Sequence, residues 1–202
     1  MAHVRYPPNY GLSDIIAGYF PTHYRGYCVD VGASDGVTCN TTFGLETARG
    51  WKVLSVEPNP EFHEHLRAHR QLVEACACSN FTGTATLTIN EVGPEAYTTI
   101  GTVPDKGRME FTHWGEAEVR VETVEDLLAK HEFPQLDALC VDTEGTELDV
   151  LKGVDLKKWN PKVIVTECWE TEGPIDDYLA DLGYTKISRI QPATVNDLFY
   201  LA

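Results

Sequence analysis

Four short apolar runs in this chain end in an acid, and helix-like segments separate them. "GYCVDVG" (26–32) carries Asp30, "KVLSVEPNP" (52–60) carries Glu57, "LDALCVDTEG" (136–145) carries Asp142 and Glu144, and "PKVIVTECWE" (161–170) carries Glu167 and Glu170. Near-continuous apolar strands are buried on both faces, which is the habit of parallel sheets covered by helices. Strands that alternate with helices predict an α/β fold with a doubly wound, mostly parallel sheet and right-handed crossovers. Such a sheet binds its ligand outside the carboxyl ends of the strands, where the strand order reverses. Each acid alone reads equally well as a helix cap or a solvated loop residue. Acids at four strand ends along one edge of one sheet read as a site.

The covering helices have their own signals. "TTFGLETARG" (41–50) is a short helix stopped by glycine, and "PEFHEHLRAHR" (60–70) opens with proline in its first turn. "VEDLLAKHEF" (124–133) follows Thr123 as N-cap, while "TELDVLKG" (146–153) and "PIDDYLADLGY" (174–184) each end at glycine. "LVEACACS" (72–79), "TATLTIN" (84–90) and "AEVRVETV" (117–124) read as further strands. "TKISRI" (185–190) and "VNDLFYLA" (195–202) read as a terminal antiparallel hairpin. Residues 91–117 hold Gly93, Gly101, Gly107, Pro94 and Pro104 and keep no period. A long irregular insertion in a compact domain is more often functional than idle.

The 202 residues suit one domain, 1–202, with residues 1–25 as a cap segment ahead of the sheet. No apolar run reaches the roughly 20 residues of a membrane span, and "MAHVRYPPNYGL" has no signal-peptide apolar region. The expected compartment is therefore the cytoplasm. A net charge of −15 with no basic cluster argues against nucleic acid as a partner. The cysteines at 28, 39, 76, 78, 140 and 168 form no CxxC pair, so they are read as reduced thiols, with Cys28, Cys140 and Cys168 as small buried hydrophobes.

The glycine turn after the first strand narrows the ligand. Glu57 lies 25 positions after Gly32, where a carboxylate can accept from both hydroxyls of a ribose. A dinucleotide fingerprint would be G-x-G-x-x-G, but the turn reads Gly32-Ala33-Ser34-Asp35-Gly36. It lacks the middle glycine and carries an acid. Pyrophosphate beside Asp30 and Asp35 would be repelled, whereas the sulfonium and ammonium of S-adenosylmethionine would be attracted. Backbone N–H groups of residues 37–41 could take that ligand's carboxylate.

"VDVGASDG" resembles the first motif of class I methyltransferases, and "VEPNP" resembles their second. "LCVDTEGTELDVLKG", followed by "PKVIVTE", resembles the FkbM-type methyltransferases, with their D-x-E-G-x-E segment. The resemblance covers roughly residues 25–170. It implies a Rossmann-like, seven-stranded sheet with one antiparallel strand near the C-terminus. It also implies methyl transfer from S-adenosylmethionine, usually to a hydroxyl oxygen of a sugar, glycan or secondary-metabolite alcohol. By resemblance, Asp30, Gly32, Ala33, Ser34, Asp35, Gly36, Asn40 and Thr41 line the methionine end. Glu57 takes the ribose, flanked by Pro58 and Asn59. Ala77 and Cys78 meet the adenine, and Asp142 lies beside the sulfonium and acceptor. The segment before the sheet is short, so residues 91–117 are expected to form much of the acceptor pocket.

Methyl transfer to a hydroxyl needs alignment and removal of a proton. Candidate bases are Asp142, Glu144, Glu167 and His113, with Glu144 or Glu167 favoured because Asp142 serves the cofactor; His113 reads more readily as an exposed loop residue. Asp142, Glu144 and Glu167 could also supply oxygens to Mg²⁺, but their roles as base and cofactor contacts account for them, and no metal is expected. Tyr97, Phe111, Trp114 and Trp169 could border the pocket or anchor a loop. His63, His65 and His69 lack a third metal ligand on one face and read as solvated. Two other readings stay open, a nucleotide-binding oxidoreductase and a non-catalytic binding module.

Overall fold

The computed structural model describes residues 10–90, 98–100, 114–168, 173–187 and 196–201. Its central sheet contains β1 (Tyr27–Val31), β2 (Lys52–Val56), β3 (Leu72–Glu74), β8 (Ala138–Val141), β9 (Val163–Glu167), β10 (Thr185–Ile187) and β11 (Asn196–Tyr200). The strand order is β10-β11-β9-β8-β1-β2-β3. Only β11 is reversed: it pairs antiparallel with both β9 and β10, while β1, β2, β3, β8 and β9 pair in parallel. The expected seven-stranded, mostly parallel sheet with a terminal antiparallel hairpin is what the chain forms.

Side-chain alternation along each strand explains the two covering layers. Val29 and Val31 of β1 join Leu139 and Val141 of β8 and Ile164 of β9 on one face. Helices α4 (Val124–Lys130), α5 (Glu147–Lys152) and α7 (Pro174–Asp181) cover it through Leu127, Leu128, Val150, Leu151 and Leu179. Cys28, Ala138, Cys140, Val163 and Val165 turn to the other face. There Ile16 of α1 (Tyr10–Ala17) and Leu45 of α2 (Phe43–Thr47) pack with Trp51. All six cysteines are free thiols, and all but Cys39 are buried.

Several boundaries differ from the sequence pattern. "LVEACACS" is two strands: β3 belongs to the central sheet, but the chain bends at Cys76, and β4 (Ala77–Cys78) pairs with β7 (Trp114–Glu122) instead. The second sheet has the order β4-β7-β5-β6, with β5 (Gly83–Asn90) and β6 (Thr98–Ile100). The segment 91–117, read as aperiodic, thus contains β6 and the start of β7, while 91–97 and 101–113 lie outside the described residues. α1 and α6 (Leu156–Trp159) were not expected. α1 falls within the presumed cap, and α6 is a single turn whose N-cap Asp155 accepts from the N–H groups of Lys157 and Lys158. Helix 60–70 divides into a 3-10 turn (Pro60–Phe62) and α3 (His63–His69). Among the described residues, no helix is long and apolar enough to cross a membrane.

Candidate functional site at the carboxyl edge of the sheet

The parallel registers bring the acids together. Val56, Val31, Val141 and Thr166 are partners across β2, β1, β8 and β9. Their successors, Glu57, Gly32, Asp142 and Glu167, therefore stand abreast, with neighbouring strands about 4.8 Å apart. Strand order reverses between β1 and β8, so Gly32 and Asp142 flank the switch point. Contact there is tight. A Cβ on Gly32 would lie 1.7 Å from the Asp142 carbonyl oxygen, and Gly32 has φ +83°. Both obstacles are backbone, which cannot swing aside. Gly32→Ala is expected to cost about 3 kcal/mol or more in stability. Thermal denaturation checks this, and an unchanged melting temperature would show that the turn tolerates a side chain.

The turn is shaped around Glu57. Ser34 adopts φ +51°, and its N–H donates to Glu57 Oε2 at 2.8 Å. The Asn59 N–H donates to Oε1, also at 2.8 Å. Each oxygen keeps a further lone pair. Glu57 is 3% exposed. Burial pushes its carboxyl up to about 7, with the Asp30 charge adding to the rise and the two N–H bonds opposing it. Asn59 is fully buried and its Oδ1 accepts from the Glu61 N–H, so it braces Glu57 and the following turn. Pro58, between them, is half-buried.

Asp30 is buried on the α2 side. Its Oδ2 accepts from Asn40 Nδ2 at 2.9 Å and from Thr42 Oγ1 at 2.7 Å. Asn40 also donates to the Ala33 carbonyl, and the Thr41 carbonyl accepts from Ser13 of α1. Asp35 departs from expectation. Its Oδ1 accepts from the N–H groups of Val37 and Thr38, and its Oδ2 from the Thr38 hydroxyl. Burial pushes its carboxyl up, but these bonds and nearby His65 outweigh that and hold it below its ordinary value. Asp35 caps its own turn, and the two N–H groups read as available to a ligand carboxylate are engaged by it.

Across the switch point, carboxylate oxygens of Asp142, Glu144 and Glu167 lie within 4.8 Å of one another. Asp142 is exposed, Glu144 half-buried and Glu167 buried. Glu144 and Gly145 take φ +58° and +117°, two consecutive left-handed residues. Glu147 makes that turn possible. Its Oε1 accepts from the Thr143 N–H (3.0 Å), the Thr143 hydroxyl (3.3 Å) and the Gly145 N–H (2.9 Å). Three bonds to one carboxylate oxygen hold an uncommon backbone at the carboxyl edge of the sheet. Ala77 and Cys78 lie in β4 with side chains 3% and 2% exposed. A hydrogen bond with Cys76, together with burial, pushes the Cys78 thiol well above its ordinary value, so it behaves as a core group. Tyr97, Phe111, His113, Trp169 and Glu170 lie outside the described residues.

Of the three histidines read as solvated, His69 is exposed, but His63 and His65 are not. His63 Nε2 meets the Glu57 carbonyl at 2.8 Å and His65 Nδ1 meets the Asp35 carbonyl at 2.9 Å, so two of the three histidines hold the site's loops. Arg70, Glu147 and Ser13 were likewise missed. The second glutamate of D-x-E-G-x-E stood in view, but spacing alone does not say which carboxylate turns inward.

Similarity to known proteins follows the same outline. Residues 30–186 match the methyltransferase FkbM domain. The methyltransferase sdnD of Sordaria araneosa is 28% identical, across 78% of this chain and 73% of its own length. Two solved structures share the fold: the human methyltransferase 10 domain containing protein (TM-score 0.52, 14% identity, 95% of this chain and 79% of that one) and the METTL16 MTase domain (TM-score 0.53, 15% identity, 95% of this chain and 65% of that one). With an α/β sheet of the class I methyltransferase type and the family's match over residues 30–186, the chain belongs to the FkbM methyltransferase domain family.

Proposed function

We propose that this methyltransferase uses S-adenosylmethionine, the cofactor its family implies, to methylate a hydroxyl oxygen of a small molecule or glycan. The observation that carries the cofactor reading is Glu57, a buried carboxylate clamped by Ser34 and Asn59 beside the Gly32 turn. The donor set fits that group. Glu57 offers one free lone pair per oxygen to a ribose diol. Asp30 and Asp142 place negative charge where a sulfonium and an ammonium would sit. When bound, the cofactor supplies a methyl carbon already activated by its sulfonium. In this reading the chain's own residues align the acceptor and take its proton, with Glu144 or Glu167 as the base. Residues 91–117 remain the candidate acceptor segment of this reading, with His113 as a further candidate base.

Calorimetry with S-adenosylhomocysteine against NADH tests the cofactor, and a screen of sugar and alcohol acceptors follows. Binding of NADH and not S-adenosylhomocysteine would replace this reading with an oxidoreductase. Ser34 in place of the middle glycine, its N–H directed at Glu57, supports the methyltransferase side of that choice.

A further inference from the structure

Arg70 follows the last residue of α3, and its side chain is fully buried. A guanidinium buried to that degree must place its donors on acceptors. Nε donates to the Glu46 carboxylate. Nη1 donates to Asn40 Oδ1 at 2.9 Å and to the Gly36 carbonyl at 3.2 Å, and Nη2 donates to Thr42 Oγ1 at 2.7 Å. Glu46 supplies the countercharge, and Asp30 Oδ2 lies 3.8 Å from Nη1. The stem backs the glycine turn, since a Cβ on Gly36 would come within 2.8 Å of Arg70 Cγ.

Arginine donates and never accepts, so it sets the direction of every bond around it. Its bond to Asn40 holds the amide oxygen and turns the amide nitrogen onto Asp30 Oδ2. Its bond to Thr42 occupies the hydroxyl oxygen. The hydroxyl hydrogen then goes to Asp30 Oδ2, which at 2.7 Å is the closer and charged alternative to Asn40 Oδ1 at 3.2 Å. Both donors converge on one oxygen, and among the described residues none donates to Asp30 Oδ1.

We propose that Arg70 is a positioning residue for the methionine end of the cofactor: through Asn40 and Thr42 it saturates Oδ2 of Asp30 and leaves Oδ1 as the acceptor for the ammonium group. This rests on the S-adenosylmethionine reading above. The test titrates wild type, Arg70→Lys and Thr42→Val with S-adenosylhomocysteine and with 5′-deoxy-5′-methylthioadenosine, which keeps the adenosine and lacks the amino-acid end. Lysine retains the charge beside Glu46 but has no fork to hold Asn40 and Thr42 together. Thr42→Val keeps the shape and removes the donor, and it carries the test if Arg70→Lys does not fold. Each folded variant loses about tenfold or more for S-adenosylhomocysteine and less than about twofold for the methylthioadenosine. Equal losses for both ligands would mean that Arg70 only holds the fold, and unchanged S-adenosylhomocysteine affinity in the folded variants would mean that Asp30 needs no such orientation. Either result overturns the proposal. A wild type that binds neither ligand removes the cofactor reading itself, and this proposal with it.

Discussion

Glu57→Ala weakens S-adenosylhomocysteine binding by at least about a hundredfold in calorimetry. A hydrogen bond to a charged acceptor contributes about 1.5–3 kcal/mol, and a ribose offers two such donors. The substitution also frees the N–H groups of Ser34 and Asn59, so the turn loses the group it is built around. Glu57→Gln loses less, because one amide oxygen still accepts. An affinity within threefold of wild type for Glu57→Ala would remove Glu57 from the site.

The same residue predicts a pH dependence. With its carboxyl near 7 when folded and 4.5 as the ordinary value, Glu57 holds a proton in the folded chain that the unfolded chain has released. Its contribution to stability is fully present below about pH 4.5 and is lost as pH rises through about 7. Ribose hydroxyls donate to the ionised form, so binding expels that proton and affinity climbs as pH rises through 7. The dissociation constant at pH 6 is expected to be about tenfold weaker than at pH 8. Among the described residues, the other titratable groups facing Glu57 are Asp30, through its charge, and His63, at the Glu57 carbonyl. The dependence should vanish in Glu57→Gln and persist in His63→Asn, and a flat profile in wild type would contradict it.

What could be read before folding follows from range. β1, β2, β8 and β9 were legible because a buried strand carries its signal within five or so consecutive residues, and parallel register then decides which acids meet. β4 was not legible, because two residues pairing with Val121 and Glu122, over forty positions away, leave no local pattern. Asp35 and Glu57 look alike in sequence, each an acid just beyond a strand. Their difference is made, for Glu57, by the distant N–H of Ser34 acting with the local one of Asn59, and, for Asp35, by the next three residues. The latter is a local turn habit of aspartate that the Thr38 spacing carried. Arg70 sits in a run of histidine and arginine that reads as solvated. It is buried because Glu46, Asn40 and Thr42, all more than twenty positions earlier, converge on it.

Glu144→Gln lowers kcat by about two to four orders of magnitude, the usual worth of a positioned base, while S-adenosylhomocysteine affinity stays within about threefold. Three features of the cluster favour Glu144. Asp142 stands beside the Gly32 turn, and the proposed reading gives it to the cofactor. Glu167 is buried at the end of β9, whereas Glu144 is half-buried and sits on a left-handed turn that Glu147 holds. Glu167 belongs to the same cluster, within 4.8 Å, so Glu167→Gln also slows turnover, by less than Glu144→Gln. The double variant is then little slower than Glu144→Gln alone, because residues acting as one unit are not additive. Full activity in both single variants with cofactor binding intact would exclude a carboxylate base. A base mechanism keeps its turnover in EDTA. Turnover that EDTA abolishes and Mg²⁺ restores would instead assign the three oxygens to a cation, whose positive charge would lower the acceptor's own pKa and leave Glu144 as a ligand, not a proton carrier.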